Sequence, residues 1–460
     1  MMKQEFKFRS VAIAAALALP MTTAMATNGM LMEGYGPIST GMGGASQAID
    51  HGNAAMAQNP ATLGMMADGT SRLDVAFGIL GPDVNSSMPG MPTAKSGGTS
   101  YLMPAVGYTK RSGPYTYGFG LFAQGGMGTE YDAGSLVAAM QTSPVRSELG
   151  VGNFLVPVAY QVNSDLTLGA TLKFVWASLD MQMNGSIAQL ANYVDPQQTN
   201  PGGLVTQMGM IAAGAPGMPP AGSTFARIDF SDGGKFSGAA KATGFGAGLG
   251  ATYKANKDLM LGASYQFKTR LADMETAATS ASLGFIGMGA PDVGKMTIID
   301  FQMPSVFALG ASWNASPALM VAADVKYIGW ADSMKSFKMR YDSANAMMGS
   351  VNFAIDQQWK DQTVLNLGVA WKANDQLTLR AGMNLADNPI PNDYVNPLFP
   401  ATVKSHYTLG LGYKFSPTDD FNMSLTMAPE VSVTGTGLTN TGITITHAQT
   451  NWQFMYSHRF

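Results

Sequence analysis

The sequence predicts an all-β fold: a 14-stranded antiparallel transmembrane β-barrel with an N-terminal hatch plugging its lumen. Three observations predict it. The chain opens with an export signal, yet no later apolar run reaches the roughly 20 residues a membrane helix needs. From about residue 70 onward, segments of about ten residues alternate apolar with small or polar side chains. The connections between these segments alternate short and long, as in bacterial outer-membrane barrels.

The signal comes first. Lys3, Lys7 and Arg9 form a basic region, Val11–Leu19 an apolar one, and Ala24-Met25-Ala26 a small-residue cleavage site. This divides the 460 residues into a signal peptide (1–26), a hatch (27–69) and a barrel (70–460). Thr27 is the expected mature N-terminus, and a Gram-negative outer membrane the expected location. There are no cysteines, which removes disulfides, thiolate catalysis and Cys-based metal sites. A net charge of −3 argues against a nucleic-acid partner, which needs a basic footprint.

Residues 27–64 are rich in Gly, Ala, Asn and Met, nearly uncharged, and show neither strand nor helix periodicity, apart from a short helical stretch at Ser46–Ala57. Two readings stand: a compact plug, or a flexible N-terminal extension.

The strands follow. Leu166, Leu168, Ala170, Leu172, Phe174 and Trp176 share one face, and Thr167, Gly169, Thr171 and Lys173 the other. Leu377–Leu385 and Tyr407–Phe415 repeat the pattern. The polar faces suit a lumen, and the apolar faces, with aromatics near strand ends, suit lipid. Short connections at 112–114, 163–165, 255–258, 314–317, 373–376 and 416–420 alternate with long ones at 82–98, 125–150, 181–235, 276–295, 342–356, 388–400 and 435–446, which gives the count of fourteen. The chain ends on an alternating strand whose last residue is Phe460. Closure leaves no strand edge unpaired in lipid.

Certain residues stand out. Within Tyr115–Leu121 the alternation is regular, but Leu121-Phe122 breaks it and Gly125, Gly126 and Gly128 follow. Glycine in a strand marks a bulge or bend, although these glycines equally suit the start of a long loop. In Leu319–Tyr341, read as one unbroken strand, the even positions Trp330, Met334, Lys338 and Arg340 face the lumen as a ligand-binding set. Apolar surface beside two cations fits a fatty acid's tail and carboxylate. Alternatively, the cations pair with Asp324, Asp332 or neighbouring strands. The stretch Met208–Met218 is apolar for an exposed loop and is read either as a landing surface for ligand or as buried against its neighbours. His51, His406, His447 and His458 lie far apart, and no nucleophile motif occurs. No catalytic residues, metal or cofactor are expected, and the protein is not read as an enzyme.

The chain resembles the FadL-like family of outer-membrane transporters for long-chain fatty acids and other hydrophobic compounds. The resemblance rests on Asn59-Pro60-Ala61 after Gly41-Met42-Gly43-Gly44-Ala45, on Gly125-Gly126-Met127-Gly128-Thr129-Glu130-Tyr131, and on Asp387-Asn388-Pro389-Ile390-Pro391. It implies a hatch-plugged barrel that passively takes a hydrophobic small molecule from outside and releases it sideways at a kink in the third strand. Asn59, Pro60 and Ala61 would then form the hatch or gate, beside Gly125 and Gly126. Membrane lipid and lipopolysaccharide are the expected surroundings of a monomer. One departure counts against a carboxylate ligand: where fatty-acid transporters carry an arginine after the fifth strand, Leu179–Gly185 has no cation. Arg227, Lys268 and Arg270 are the candidate substitutes. A porin for small polar solutes and a non-transporting adhesin or structural barrel are the alternative functions.

Overall fold

The computed structural model describes residues 28–195, 202–220, 224–234 and 237–460. The predicted signal and Thr27 lie outside them. The described residues form a single antiparallel sheet that closes on itself. Its strands of six residues or more are β1 (Ser71–Ser87), β2 (Tyr101–Ser112), β3 (Tyr115–Tyr131), β4 (Val145–Gln161), β5 (Leu166–Ser186), β6 (Phe225–Phe230), β7 (Ala240–Lys254), β8 (Leu259–Gln266), β9 (Asp292–Ile299), β10 (Val306–Ser316), β11 (Leu319–Ile328), β12 (Ser336–Ser343), β13 (Ser350–Asp356), β14 (Gln362–Lys372), β15 (Leu377–Ala386), β16 (Ser405–Lys414), β17 (Asp419–Thr434) and β18 (Thr444–Arg459). Closure is made by β1 and β18, paired from Arg72↔Arg459 to Ser87↔Thr444.

Among the described residues the barrel therefore has eighteen strands of this length, and the predicted fourteen is corrected. The difference has a local cause. Chain segments that the alternation presents as single strands, or as strand plus loop, are interrupted after Phe230, Ile299, Ile328 and Asp356; after Phe230 the chain resumes on another part of β5, and after the other three on new partners. The lower wall runs β5–β7–β8–β10–β11–β14. Above it, β6 pairs with β5, the short strand Ala281–Phe285 joins β6 to β9, and β12 and β13 follow. Stretches that the sequence presents as loops thus continue the wall.

The wall is inverted relative to a soluble protein. Leu172 is 70% exposed while its neighbour Thr171 is 1% exposed, and the same holds along β16 for Leu409 and Thr408. Aromatic pairs such as Phe77–Phe454 and Phe119–Phe154 lie on the outward face, with centroids 5.0 and 6.3 Å apart. An apolar exterior with aromatic clusters is the pattern of a lipid-facing barrel.

Residues 28–66 fold against the inward face of the wall and are almost wholly buried. They form α1 (Gly36–Thr40) and two 3-10 turns, Gly52–Ala57 and Pro60–Met65. Strand polar groups satisfy this backbone, because so irregular a segment cannot satisfy itself. Asp324 Oδ2 accepts from the Ser46 and Gln47 amides (2.6 and 3.1 Å), Asp74 Oδ2 from Asn53 N (2.6 Å), and Thr408 Oγ1 from Gly43 N (2.9 Å). Lys326 Nζ donates to the Glu33 and Gly44 carbonyls at 3.0 and 3.2 Å. Strand glycines supply the room: a Cβ at Gly368 would stand 2.5 Å from Met42 O, and one at Gly107 2.6 Å from Asn53 Cβ.

Candidate functional site

The third strand is where the wall changes character. The ladder between β2 and β3 runs from Ser112↔Tyr115 to Val106↔Leu121 and stops. Beyond that point, Tyr101–Ala105 of β2 keep β1 as their strand neighbour, and Phe122–Tyr131 of β3 keep β4, with no ladder between β2 and β3. Two sequence features account for this. Pro104 has no N–H to give to a ladder, and proline in a sheet belongs at an edge. The β3–β4 register shifts between Ala123 and Gly125, so Gln124 is a bulge residue.

The inner segment meets this bulge directly. Leu31 forms an isolated antiparallel bridge with Gly125. Tyr35 donates its hydroxyl to the Gln124 carbonyl at 2.7 Å, which satisfies a group the bulge has removed from the ladder. Gly125 has to be glycine here because a Cβ would overlap the Met30 carbonyl oxygen.

A cavity of about 360 Å³ lies at this place. Its walls include Gly29–Glu33 of the inner segment, Leu80, Pro82 and Val84 of β1, Tyr101–Pro104 of β2, and Leu121–Ala123 and Gly125–Gly128 of β3. Glu148–Gly152 of β4, Trp176 and Ser178 of β5, and Ser237, Pro400, Ala401, His447 and Gln449 complete them. The lining is mostly apolar and includes Glu33 and Glu148 but no lysine or arginine. A smaller void of about 40 Å³ adjoins it and shares Met32, Met103, Pro104, Phe122 and Ala123.

The predicted site residues divide. Gly125, Gly126 and Gly128 all line the cavity. Asn59, Pro60 and Ala61 do not adjoin Gly125 and Gly126, as expected of a gate beside the kink. They pack instead on β5 and β7, where a Cβ at Gly169 or Gly250 would overlap Ala61 N or Asn59 Oδ1. Asn59 N-caps the turn Pro60–Met65 by accepting from Ala61 N, and its amide donates to Gln47 O (2.7 Å) and Ala251 O (3.2 Å). Met30 and Leu31 hold the position expected of Asn59-Pro60-Ala61.

The unbroken strand Leu319–Tyr341 is also corrected. After Ile328 the chain makes a single helical turn, Trp330–Ser333, before β12 begins. In β11 the even residues Asp324, Lys326 and Ile328 point inward and are buried. In β12 the odd residues Met339 and Tyr341 are the buried ones, and Lys338 and Arg340 are exposed on the other face. The interruption has reversed the parity, since side chains alternate faces residue by residue. Trp330 and Met334 are buried in the apolar cluster outside the cavity lining, with Trp330 edge-on to Trp359 at 5.0 Å. Arg340 pairs with Asp342 at 2.7 Å. Of the substitute cations, Arg227 pairs with Asp229 (3.0 Å), Lys268 pairs with Asp332 (2.9 Å), and Arg270 is exposed.

In the apolar loop, the helix Gly203–Ala212 buries Leu204, Met208 and Ile211 against its neighbours and leaves Met210 exposed. Among the described residues, no group of three or more His, Asp or Glu is placed to hold a metal ion. The residues that sequence reasoning missed are Tyr35, Pro104 and Glu33. Of these, only the proline within a strand carried a local signal.

A closed barrel with an apolar exterior, an inner segment seated on its strands and an apolar cavity in its lumen defines an outer-membrane transport protein. The family of outer membrane protein transport proteins (OMPP1/FadL/TodX) matches residues 14–456, and the chain belongs to it. The crystal structure of the Pseudomonas putida toluene transporter TodX is similar over 93% of this chain and 99% of that one, with 31% identity and a TM-score of 0.80. The long-chain fatty acid transport protein of Escherichia coli (strain K12) is 22% identical over 435 residues, 90% of each chain. Outer membrane protein P1 of Haemophilus influenzae is 24% identical over 303 residues, 66% of this chain and 60% of that protein. A stretch of 90 residues, 19% of this chain, is 48% identical to an uncharacterised Chlorobium limicola protein and spans 43% of its length. The protein is located in the outer membrane of a Gram-negative cell, and its family transports hydrophobic compounds.

Proposed function

We propose that this barrel passively admits a hydrophobic small molecule, a long-chain fatty acid or a hydrocarbon, into the cavity at β3 and releases it sideways through the wall between β2 and β3. The observation that carries the reading is the coincidence of cavity and interrupted ladder: Tyr101–Pro104, Leu121–Ala123 and Gly125–Gly128 line the cavity, and beyond Val106↔Leu121 these strands exchange no ladder bonds. Moving apolar surface from water into such a cavity is favourable by about 25 cal/mol per Å², so no energy source is required. The inner segment acts as the plug, and its contacts with Gln124 and Gly125 set the shape of the exit. A monomer suffices, surrounded by membrane lipid and lipopolysaccharide on its apolar face.

A downward route is the second reading, favoured by the smaller void, which extends from the cavity toward Ala54 and Asp74. Met127→Trp separates the two. Met127 lines the cavity but not the smaller void, and it lies on the part of β3 beyond the β2 ladder, so an indole there obstructs the lateral exit and leaves the downward void open. Uptake of a hydrocarbon by cells carrying the folded variant should fall at least tenfold. Uptake at the normal rate would rule out the lateral route and favour the downward one.

A further inference from the structure

The cavity has a polar complement that its apolar walls conceal. Three of its lining residues carry a side-chain atom that is buried and has no hydrogen-bond partner: both carboxylate oxygens of Glu33, the hydroxyl of Tyr101 and Nε2 of His447. Glu33 is 1% exposed and His447 7%. The His447 Nδ1 lies 2.7 Å from the Pro400 carbonyl oxygen, which can only accept. Nδ1 therefore carries the proton and Nε2 presents a lone pair. Glu148, the second acid of the lining, takes a hydrogen bond from Arg146, which is not part of the lining.

Counted as donors and acceptors, these unpartnered groups are short of donors. Glu33 and His447 only accept, and of the three only Tyr101 both gives and takes; Ser178, Ser237 and Gln449 also line the cavity but are not among the unpartnered groups. Leaving a buried carboxylate without a donor is costly. The cavity is the adjoining space from which a donor can come. A ligand carboxylate brings no donor, and it would enter beside two acids with no lining cation to receive it. The buried lumen cation Lys326 is engaged by the Glu33 and Gly44 main-chain carbonyls. A bare hydrocarbon fits the walls but leaves the acceptors unmet. A hydroxyl both donates and accepts, and burying it costs less than burying an ammonium.

Building on the transport reading above, we propose that the cavity selects neutral hydrophobic molecules that carry one hydroxyl group, such as phenols and fatty alcohols, and discriminates against carboxylates. Glu33 is its specificity-determining residue.

The test is equilibrium dialysis of the full-length exported barrel, purified in detergent, against three matched probes: 4-ethylphenol, ethylbenzene and 4-ethylbenzoate. After correction for their partition into detergent alone, 4-ethylphenol should bind about tenfold or more tightly than ethylbenzene, as a hydrogen bond to a charged acceptor implies. 4-Ethylbenzoate should bind weakest. In Glu33→Leu, whose main-chain carbonyl still receives Lys326, the phenol's advantage over ethylbenzene should disappear. In Glu148→Gln, 4-ethylbenzoate should gain relative to the other two. Heat-modifiable migration on gels confirms that each variant is folded. If 4-ethylbenzoate binds the parent barrel most tightly, or if phenol and ethylbenzene bind it alike, the selectivity is wrong and the transport reading survives. If none of the three binds, both fail.

Discussion

At the scale of the residue, the site depends on single side chains of the inner segment that complete the wall. Tyr35 is the sharpest case. Its hydroxyl donates to the Gln124 carbonyl, and leaving such a buried group unmet costs about 1–3 kcal/mol. Tyr35→Phe should leave the barrel assembled, speed hydrogen exchange at residues 122–126 and change the rate of hydrocarbon uptake. Unaltered exchange there would show that the bulge is held by its own strands. His51 introduces a pH dependence. It is fully buried, its Nδ1 donates to Ile49 O at 3.1 Å, and burial lowers its pKa to about 4 against the opposing pull of Asp50. An undocked segment would protonate near 6.5, and the docked one not until about 4. Docking is therefore at full strength above pH 6.5 and weakens as pH falls toward 4, by about 3 kcal/mol at most. Protease nicking of residues 28–66 should rise over that interval and rise less in His51→Gln. None of these roles was legible in the sequence, because a lone Tyr or His among glycines has no local partner to reveal it.

The interruption of a strand determines more at the scale of the element than any residue within it. Lys338 and Arg340 share even numbering with Asp324 and Lys326, and strict alternation would place all four in the lumen. The turn at Trp330–Ser333 and the residues around it reverse that parity. The double variant Lys338→Gln, Arg340→Gln should accordingly leave binding of a fatty acid and of its neutral alcohol unchanged relative to one another, as measured by dialysis. Selective loss of the acid would return these cations to the site. The inner segment depends in turn on strand glycines. Gly368→Val places carbon where Met42 now sits, and should displace residues 41–44 and raise single-channel ion conductance without loss of the heat-resistant barrel. Conductance equal to that of the parent would mean that the segment adjusts without opening the lumen.

Closure of the sheet is the event at the scale of the whole molecule. Ser71 and Phe460 exchange hydrogen bonds at 3.3 and 3.0 Å where the chain's first strand meets its end. Deleting Phe460 should therefore slow assembly more than Thr378→Ala in an interior strand, read as the fraction of heat-modifiable barrel after a pulse of synthesis. Equal fractions would place the assembly signal elsewhere in β18.

By itself, the sequence determined the inside-out alternation, the antiparallel barrel, the outer-membrane location and the family, because each rests on local period or on a contiguous motif. Leu172 and Thr171 declare their faces from adjacent positions alone. The tertiary structure alone decided that the described residues form eighteen strands of six residues or more, that Met30 and Leu31 rather than Asn59-Pro60-Ala61 meet Gly125 in the third strand, and that acids rather than lysine or arginine line the cavity. The physical reason is the same in each case. Alternation is blind to where a strand stops and restarts, and one interruption reverses every face after it. Contacts between an irregular inner segment and a distant strand arise from shape and unmet hydrogen bonds, which leave no period in the chain.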